Sequence, residues 1–381
     1  MKKSQLKIMT ILGTRPEIIR LSRVIACLNQ NVNHILVHTG QNYDFELNEI
    51  FFKQLDLPNP DYYLEVDTSS LGKVLGQTII KTEQVIKEVL PDAVLILGDT
   101  NSSIAGIIAK RLKIPIYHME AGNRCFDLNV PEETNRRIID HIADFNLVYT
   151  EHARRNLISE GISQRRIYLT GSPMYEVLMY HKENINSSSI TNNLNLKKKE
   201  YFIVSIHREE NVDNLQHLSS ILEVLNILAE EYKLPIIVST HPRTRKRLEQ
   251  LPEKKINETI SFLKPFGFFD YVNLQMNALC ALSDSGTISE ESAILSFPAI
   301  TIRNAMERPE AIDSGTIILT GMDSQTILDS VAIAVRTHKN NQRIPADYLV
   351  TDTSLRVLKL IIGTAKLSNL WHGVNKNNYI S

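Results

Sequence analysis

Several acidic residues of this chain stand directly after short apolar runs, where chemistry in an α/β protein is sought. Gly98-Asp99-Thr100-Asn101 follows Ala93–Leu97, and His118-Met119-Glu120-Ala121-Gly122 closes the next run. A carboxylate at a buried strand end is costly to desolvate unless it is paired or employed, so Asp99 and Glu120 are candidates for acid/base work. Asp99 has a second reading, as the cap of the following helix. In Pro131-Glu132-Glu133-Thr134-Asn135-Arg136-Arg137, Pro131 marks a helix start. Glu132 with Arg136 and Glu133 with Arg137 fall four apart on one face, a spacing that a solvated helix with two ion pairs also explains. Cys125 has no evident partner in the sequence and is read as incidental rather than as a nucleophile.

A cationic set accompanies these acids. In Gly13-Thr14-Arg15-Pro16-Glu17, followed by a helix carrying Arg20, Gly13 permits a tight turn and Pro16 suits the first helical turn. The unpaired N–H groups there favour an anion, and Arg15 and Arg20 add two permanent charges. A strand-to-helix turn with a Pro start is commonplace, so this motif alone decides nothing. Neither GxGxxG nor GxxxxGK[ST] occurs, which argues against dinucleotide and P-loop binding. His207-Arg208 ends one apolar run and His241-Pro242-Arg243 ends the next, a repetition that favours anion contact. No HxH or HxxxH pair accompanies them, so no metal site is expected. In Ser283-Asp284-Ser285-Gly286-Thr287-Ile288-Ser289-Glu290-Glu291, hydroxyls and N–H groups at a helix start suit a diphosphate, and a Glu one turn in suits the two hydroxyls of a ribose. Arg308, in Glu307-Arg308-Pro309-Glu310, offers a further cation.

These residues need a scaffold that brings strand ends together. Apolar, β-branched runs recur at 6–12, 34–39, 93–97, 115–119 and 145–149, then at 167–169, 202–206, 235–239, 279–283, 298–302 and 316–319, with helical stretches between. Strands apolar on both faces and alternating with helices predict parallel sheets covered on both sides, a doubly wound α/β architecture. Ligands of such sheets bind outside the carboxyl ends of the strands. The polar, Asn- and Ser-rich segment Glu183–Glu200 is expected to be a surface connection near a domain boundary.

Length and charge limit the remaining classes. The chain has 381 residues, with 42 Lys plus Arg against 43 Asp plus Glu, a formal net charge of −1. That balance excludes a polybasic coat for nucleic acid or a charged membrane anchor, while leaving room for a small anionic ligand. The length implies two domains. No run of about 18 apolar residues suggests a membrane span. The N-terminal apolar stretch lacks a small-residue cleavage site and is read as a first strand. Three cysteines are too few for a disulfide framework. The expected compartment is the cytoplasm.

Taken in order, Gly13–Glu17, Gly98–Thr100, Glu120–Gly122, Pro131–Arg136, His207–Asn211, Asp284–Gly286 and Glu307–Glu310 resemble the non-hydrolysing UDP-N-acetylglucosamine 2-epimerase family across nearly the whole chain. The resemblance implies a GT-B type fold, two Rossmann-like domains with parallel sheets facing a central cleft. It places residues 1–172 with 361–381 in the first domain and 173–360 in the second, UDP-binding one. It implies a UDP-sugar substrate, no cofactor and a homodimer. Asp99, Glu120 and Glu132 are then the catalytic carboxylates, with His207 assisting. Arg15 and Arg20 contact the nucleotide sugar, Tyr271 stacks on uracil, Ser285 and Gly286 with Thr287 hold phosphate, Glu291 binds ribose, and Arg308 meets the diphosphate. Arg15, Arg20, Arg136, His207 and Arg308 are expected to converge on that diphosphate.

The sequence departs from the common family pattern in informative places. Arg20 replaces the usual Lys, and the stretch from Glu120 to Glu132 is short. Gln41-Asn42-Tyr43 and His207-Arg208-Glu209-Glu210-Asn211 differ from segments that serve allosteric substrate binding in some members, so such activation is not expected. Asn123-Arg124-Cys125-Phe126-Asp127 with Pro131-Glu132-Glu133 is similar to the branch that makes UDP-N-acetyl-L-fucosamine from its L-talo epimer for capsule or O-antigen. The competing readings are a UDP-N-acetylglucosamine 2-epimerase, a hydrolysing 2-epimerase, a GT-B glycosyltransferase and a non-catalytic UDP-sugar-binding protein.

Overall fold

A computed structural model describes residues 4–41, 45–250, 256–338 and 344–374, the side chains at 45–49 and 209–210 excepted. Asn42, Tyr43, the side chains of Glu209 and Glu210, and residues 375–381 of the expected C-terminal return therefore lie outside the described residues. The chain divides into two compact units, Met1–Met179 with Asp347–Ser381, and Tyr180–Ala346.

The first unit holds a seven-stranded sheet: β1 (Lys7–Leu12), β2 (Asn33–His38), β3 (Tyr62–Tyr63), β4 (Ala93–Leu97), β5 (Ile116–Met119), β6 (Phe145–Val148) and β7 (Ile167–Leu169), in the order β3-β2-β1-β4-β5-β6-β7. All neighbouring pairs are parallel. The order reverses between β1 and β4, the crevice where doubly wound sheets bind ligands. Ile8 pairs with Ala93 and Ile11 with Ile96, so the loops that begin at Gly13 and Gly98 leave the sheet side by side. All five residues of β4 are buried, and the Arg15–Asn31 helix buries Ile18, Leu21, Val24, Ile25 and Leu28 at helical spacing. Each such Ile, Leu or Val contributes roughly 1.5–3 kcal/mol relative to exposure.

The second unit repeats the plan with six parallel strands: β8 (Phe202–Ser205), β9 (Ile236–Ser239), β10 (Ile260–Leu263), β11 (Cys280–Ser283), β12 (Ala299–Thr301) and β13 (Ile318–Leu319), ordered β10-β9-β8-β11-β12-β13. Its switch point lies between β8 and β11, where Ser205 pairs with Ser283.

Four details differ from the sequence reading. β3 and β10 carry too little pattern to be read as strands: β3 is two residues long, and three of the four β10 residues are only half-buried at the sheet edge. β7, grouped by order with the later strands, pairs with β6 in the first sheet, because the chain has not yet left that unit. Glu183–Glu200 includes short helices at Lys182–Asn186 and Ile190–Asn193, anchored by Ile185, which is 1% exposed and whose carbonyl accepts from Asn273 Nδ2 at 2.8 Å. The return to the first unit begins before residue 361, because the Thr353–Thr364 helix packs on Arg15–Asn31 and Thr353 Oγ1 donates to the Ser172 carbonyl at 3.1 Å. Among the described residues no helix is long and apolar enough to cross a membrane.

Candidate active site

At the first switch point, the residues after β1 and β4 are tied together by Glu17. Its carboxylate is 2% exposed and accepts from Gly13 N at 2.8 Å, Thr14 N at 2.6 Å, Thr100 Oγ1 at 3.0 Å and Ser102 Oγ at 2.5 Å. Burial pushes this carboxyl above its ordinary range, and the donated hydrogen bonds recover only part of that shift. Glu17 also closes a capping box with Thr14 at the start of the Arg15–Asn31 helix, and from the sequence it has no assigned role of its own.

Asp99, which follows β4 directly, pairs with Arg136 Nη2 at 2.7 Å. Arg136 also reaches Glu133 Oε2 at 3.2 Å, so it joins the β4 end to the Pro131–Ile142 helix. Glu120 leaves β5 with φ +66° and is ion-paired to Arg20, while Asn123 Nδ2 donates to its other oxygen at 3.2 Å. A Cβ on Gly98 would stand 3.7 Å from Glu120 Oε2, which sets the Glu120 carboxylate beside the peptide that carries Asp99. Glu132 is half-buried on the first turn of the Pro131–Ile142 helix. Arg15 is half-buried too, its guanidinium carbon 6.0 Å from the Phe51 ring centroid.

Of the two spaced pairs on that helix, Arg137 with Glu133 forms at 2.8 Å, whereas Arg136 takes Asp99 and Glu133. Glu133 is fully buried and also accepts from Cys125 N at 3.1 Å and Cys125 Sγ at 3.2 Å, so the thiol has a partner the sequence did not reveal. Burial pushes that thiol up, which keeps it protonated and supports the reading that it is no nucleophile.

Beneath the carboxylates lies a buried ionic cluster that the sequence gave no reason to single out. His118, in β5 and 0% exposed, places Nδ1 2.8 Å from Asp140 Oδ1 and Nε2 2.8 Å from the Gly98 carbonyl. Asp140 Oδ2 accepts from Gly122 N at 3.1 Å and from Arg124 Nη1 at 2.7 Å, and Arg124 then grips Glu160 with Nε at 2.7 Å and Nη2 at 2.6 Å. Burial alone would raise the Asp140 carboxyl, but His118 and Arg124 outweigh it and hold the group below its ordinary value.

The second unit gathers phosphate-type donors at the ends of β8, β11 and β12. Asp284, fully buried, accepts from His207 N at 3.0 Å, Arg208 N at 2.9 Å and Asn211 Nδ2 at 3.0 Å, and its Oδ1 lies 3.2 Å from His207 Nδ1. Glu307 pairs with Arg303 at 2.9 Å and Arg208 at 3.3 Å. Arg308 Nη1 is held by Glu290 Oε2 at 2.5 Å and the Gly286 carbonyl at 2.6 Å. Ser285 and Thr287 share a hydroxyl hydrogen bond of 3.0 Å at the start of the Ile288–Leu295 helix, and Glu291 accepts from Gln275 Nε2 at 2.8 Å. Tyr271, on the Phe268–Asn277 helix, has its hydroxyl in hydrogen-bond contact with Ser205 and Ser283 at the switch point, and burial pushes that hydroxyl up.

The second His-Arg combination divides its roles. The His207 and His241 ring centroids are 6.5 Å apart, but His241 caps the Pro242–Leu248 helix through Arg243 N, and Arg243 pairs with Asp213 at 2.5 Å. Among the described residues, no group of three or more His, Cys, Asp or Glu is arranged to hold a metal ion. The first unit thus brings together Arg20, Asp99, Glu120 and Arg136, and the second His207, Tyr271, Ser285, Gly286, Thr287, Glu291 and Arg308 around its own switch point.

Residues 26–362 match the model of the UDP-N-acetylglucosamine 2-epimerase family. A Methanocaldococcus jannaschii protein named UDP-N-acetylglucosamine 2-epimerase is 38% identical over 88% of this chain and 94% of its own. A Pseudomonas aeruginosa protein named UDP-2,3-diacetamido-2,3-dideoxy-D-glucuronate 2-epimerase is 34% identical over 85% of this chain and 91% of its own. The structure of a Rickettsia bellii UDP-N-acetylglucosamine 2-epimerase superposes with TM-score 0.90 at 47% identity, covering 97% of this chain and all of the other. The Methanocaldococcus jannaschii enzyme, solved in complex with UDP-GlcNAc and UDP, superposes with TM-score 0.88 at 35% identity, covering 94% and 100%. A family model matched over residues 26–362 and a relative 38% identical over most of both chains show that this chain belongs to the UDP-N-acetylglucosamine 2-epimerase family, a family of isomerases.

Proposed function

We propose that this isomerase inverts C2 of a UDP-2-acetamido sugar by anti elimination and re-addition of UDP. The carrying observation is the juxtaposition of Asp99 and Glu120 at adjacent strand ends, each paired with an arginine. A C2 proton beside an acetamido group is weakly acidic, and elimination avoids a free carbanion. A base takes the proton, the C–H electron pair becomes the C1–C2 double bond, and UDP departs with the C1–O pair. UDP adds back to C1 as a proton reaches C2 from the opposite face. Asp99, Glu120 and Glu132 share the proton transfers, each general acid or base contributing about 10²–10⁴-fold. Arg15, His207 and Arg308 stabilise the departing diphosphate. Tyr271 faces the uracil, Ser285, Gly286 and Thr287 the phosphates, Glu291 the ribose, and Arg20 and Arg136 set the carboxylates. Glu120→Gln removes a proton carrier at near-constant shape, so C2 exchange should vanish while UDP binding stays nearly intact; undiminished turnover rejects this role.

The sugar we propose is UDP-2-acetamido-2,6-dideoxy-L-talose, converted to UDP-N-acetyl-L-fucosamine. The support is Asn123-Arg124-Cys125-Phe126-Asp127 together with Pro131-Glu132-Glu133. In that segment Arg124 and Cys125 are buried against Asp140 and Glu133, while Phe126 and Leu128 stand 72% and 78% exposed after Glu120. The relatives carry names for two different sugars. UDP-N-acetylglucosamine is the second reading, favoured by the names of most relatives. Incubation in D₂O with UDP-N-acetyl-L-fucosamine and, separately, UDP-N-acetylglucosamine, followed by NMR, separates the two through C2 deuteration. Exchange with the glucosamine derivative alone overturns the substrate, and absence of exchange with any UDP-2-acetamido sugar overturns the reaction.

A further inference from the structure

We propose that His118 is a positioning residue for the Asp99–Glu120 pair, acting through the peptides next to both carboxylates; this rests on the epimerase reading above. His118 touches neither carboxylate in the contacts that define its place. One ring nitrogen meets the Gly98 carbonyl, part of the peptide that enters Asp99. The other meets Asp140, whose second oxygen takes the Gly122 N–H, two residues beyond Glu120. One buried imidazole and one buried carboxylate therefore span the two loops that carry the acid/base groups.

Those loops need holding. Gly98, Glu120 and Gly122 have φ of +73°, +66° and +81°. For a non-glycine residue such as Glu120 this left-handed conformation persists only where the surroundings enforce it. The partner set on His118 is a carboxylate and a carbonyl, so both ring nitrogens are engaged. Arg124 and the Asn123 carbonyl, 2.7 Å apart, close the cluster on its far side, and the Arg124–Glu160 fork ties it to the Glu151–Ser159 helix end. A shift near 1 Å in reacting groups costs about 10²-fold in rate, so loss of this brace reads out in turnover.

The test compares His118→Asn, whose amide nitrogen can still meet Asp140, with His118→Gln, whose longer amide can still reach the Gly98 carbonyl, and with Asp140→Asn. C2 deuteration in D₂O gives kcat and KM, UDP titration gives Kd, and thermal unfolding gives the folded fraction. His118→Asn should lose about 10²-fold in kcat per folded molecule, with KM and UDP affinity within about twofold of the parent, and His118→Gln should recover part of that loss. Parental kcat per folded molecule in any folded His118 variant overturns the proposal, as does failure of all three variants to fold, which assigns the cluster to stability alone. The parent protein separates the two levels of inference. No exchange in the parent with any UDP-2-acetamido sugar sinks the epimerase reading, whereas exchange that survives His118→Asn sinks only the positioning role.

Discussion

Arg136 stands 2.7 Å from Asp99 and 3.2 Å from Glu133, so one guanidinium fastens the carboxylate at the end of β4 to a buried anion on the Pro131–Ile142 helix. Asp99 is therefore held by a side chain that is itself fixed at both ends. Asp99→Asn keeps the shape and removes the proton acceptor. C2 exchange should fall by about 10²–10⁴-fold, the range of a general acid or base. Arg136→Lys should fall less, because a single ammonium cannot hold two carboxylates in the same fork. Deuterium incorporation per folded enzyme measures both.

Arg308 and Glu290 lie 2.5 Å apart with side chains 5% and 0% exposed, so each neutralises the other's burial. Arg308→Ala removes a charged donor and with it the ion pair to Glu290. A charged hydrogen bond contributes about 1.5–3 kcal/mol, so UDP affinity should weaken by roughly 10- to 150-fold in isothermal titration. Breaking this buried ion pair from one side should cost a further ~3–5 kcal/mol of stability. Glu290→Gln separates the two effects: it restores a neutral partner for the guanidinium and should cost much less UDP affinity.

Central strands were legible because both faces are apolar; β4 is buried at every residue and reads as such. Which sheet a strand joins is not written in its pattern, and β7 illustrates this: its composition fits either unit, and it is the 1–172 boundary implied by the resemblance, and in the structure its pairing with β6, that assign it. The strand-end carboxylates Asp99 and Glu120 were legible for a chemical reason, since charge after an apolar run demands a partner or a task. Their partners were not. The inward side of the Pro131–Ile142 helix is Glu133, Arg136, Ile139 and Asp140, so apolar periodicity could not tell its buried face from a solvated one. His118 was hidden in the same way, as one polar residue inside a strand whose neighbours are all buried.

Gly122 is the point at which the Glu120 loop meets the Glu151–Ser159 helix. A Cβ there would fall 2.4 Å from the Ala153 carbonyl oxygen, and φ is +81°. Gly122→Ala thus combines a backbone clash with a left-handed conformation that alone costs about 1–2 kcal/mol. The expected loss is at least ~2 kcal/mol in chemical unfolding, with C2 exchange reduced in the folded fraction because Glu120 must move with the peptide. Parental stability in this variant would mean that the loop is not held at Gly122.

Glu17 supplies a pH signature. Its carboxyl is raised above the ordinary 4.5 in the folded protein, chiefly by burial, so the native state binds more protons than the unfolded chain between 4.5 and the raised value. Stability from this group is therefore fully present below 4.5 and is lost as pH rises through the folded value. Glu17→Gln cannot ionise. Its oxygen can still accept from Gly13 N and Thr14 N, and its amide can donate to the hydroxyls of Thr100 and Ser102, which rotate to accept. The difference in unfolding free energy, variant minus parent, should therefore rise as pH increases from 4.5 through the raised value and reach a plateau above it. Glu17→Ala should instead be destabilised at every pH, because Gly13 N and Thr14 N lose their acceptor at about 1–3 kcal/mol each. A parallel pH course for parent and Glu17→Gln would show that the carboxyl does not titrate out of its usual range.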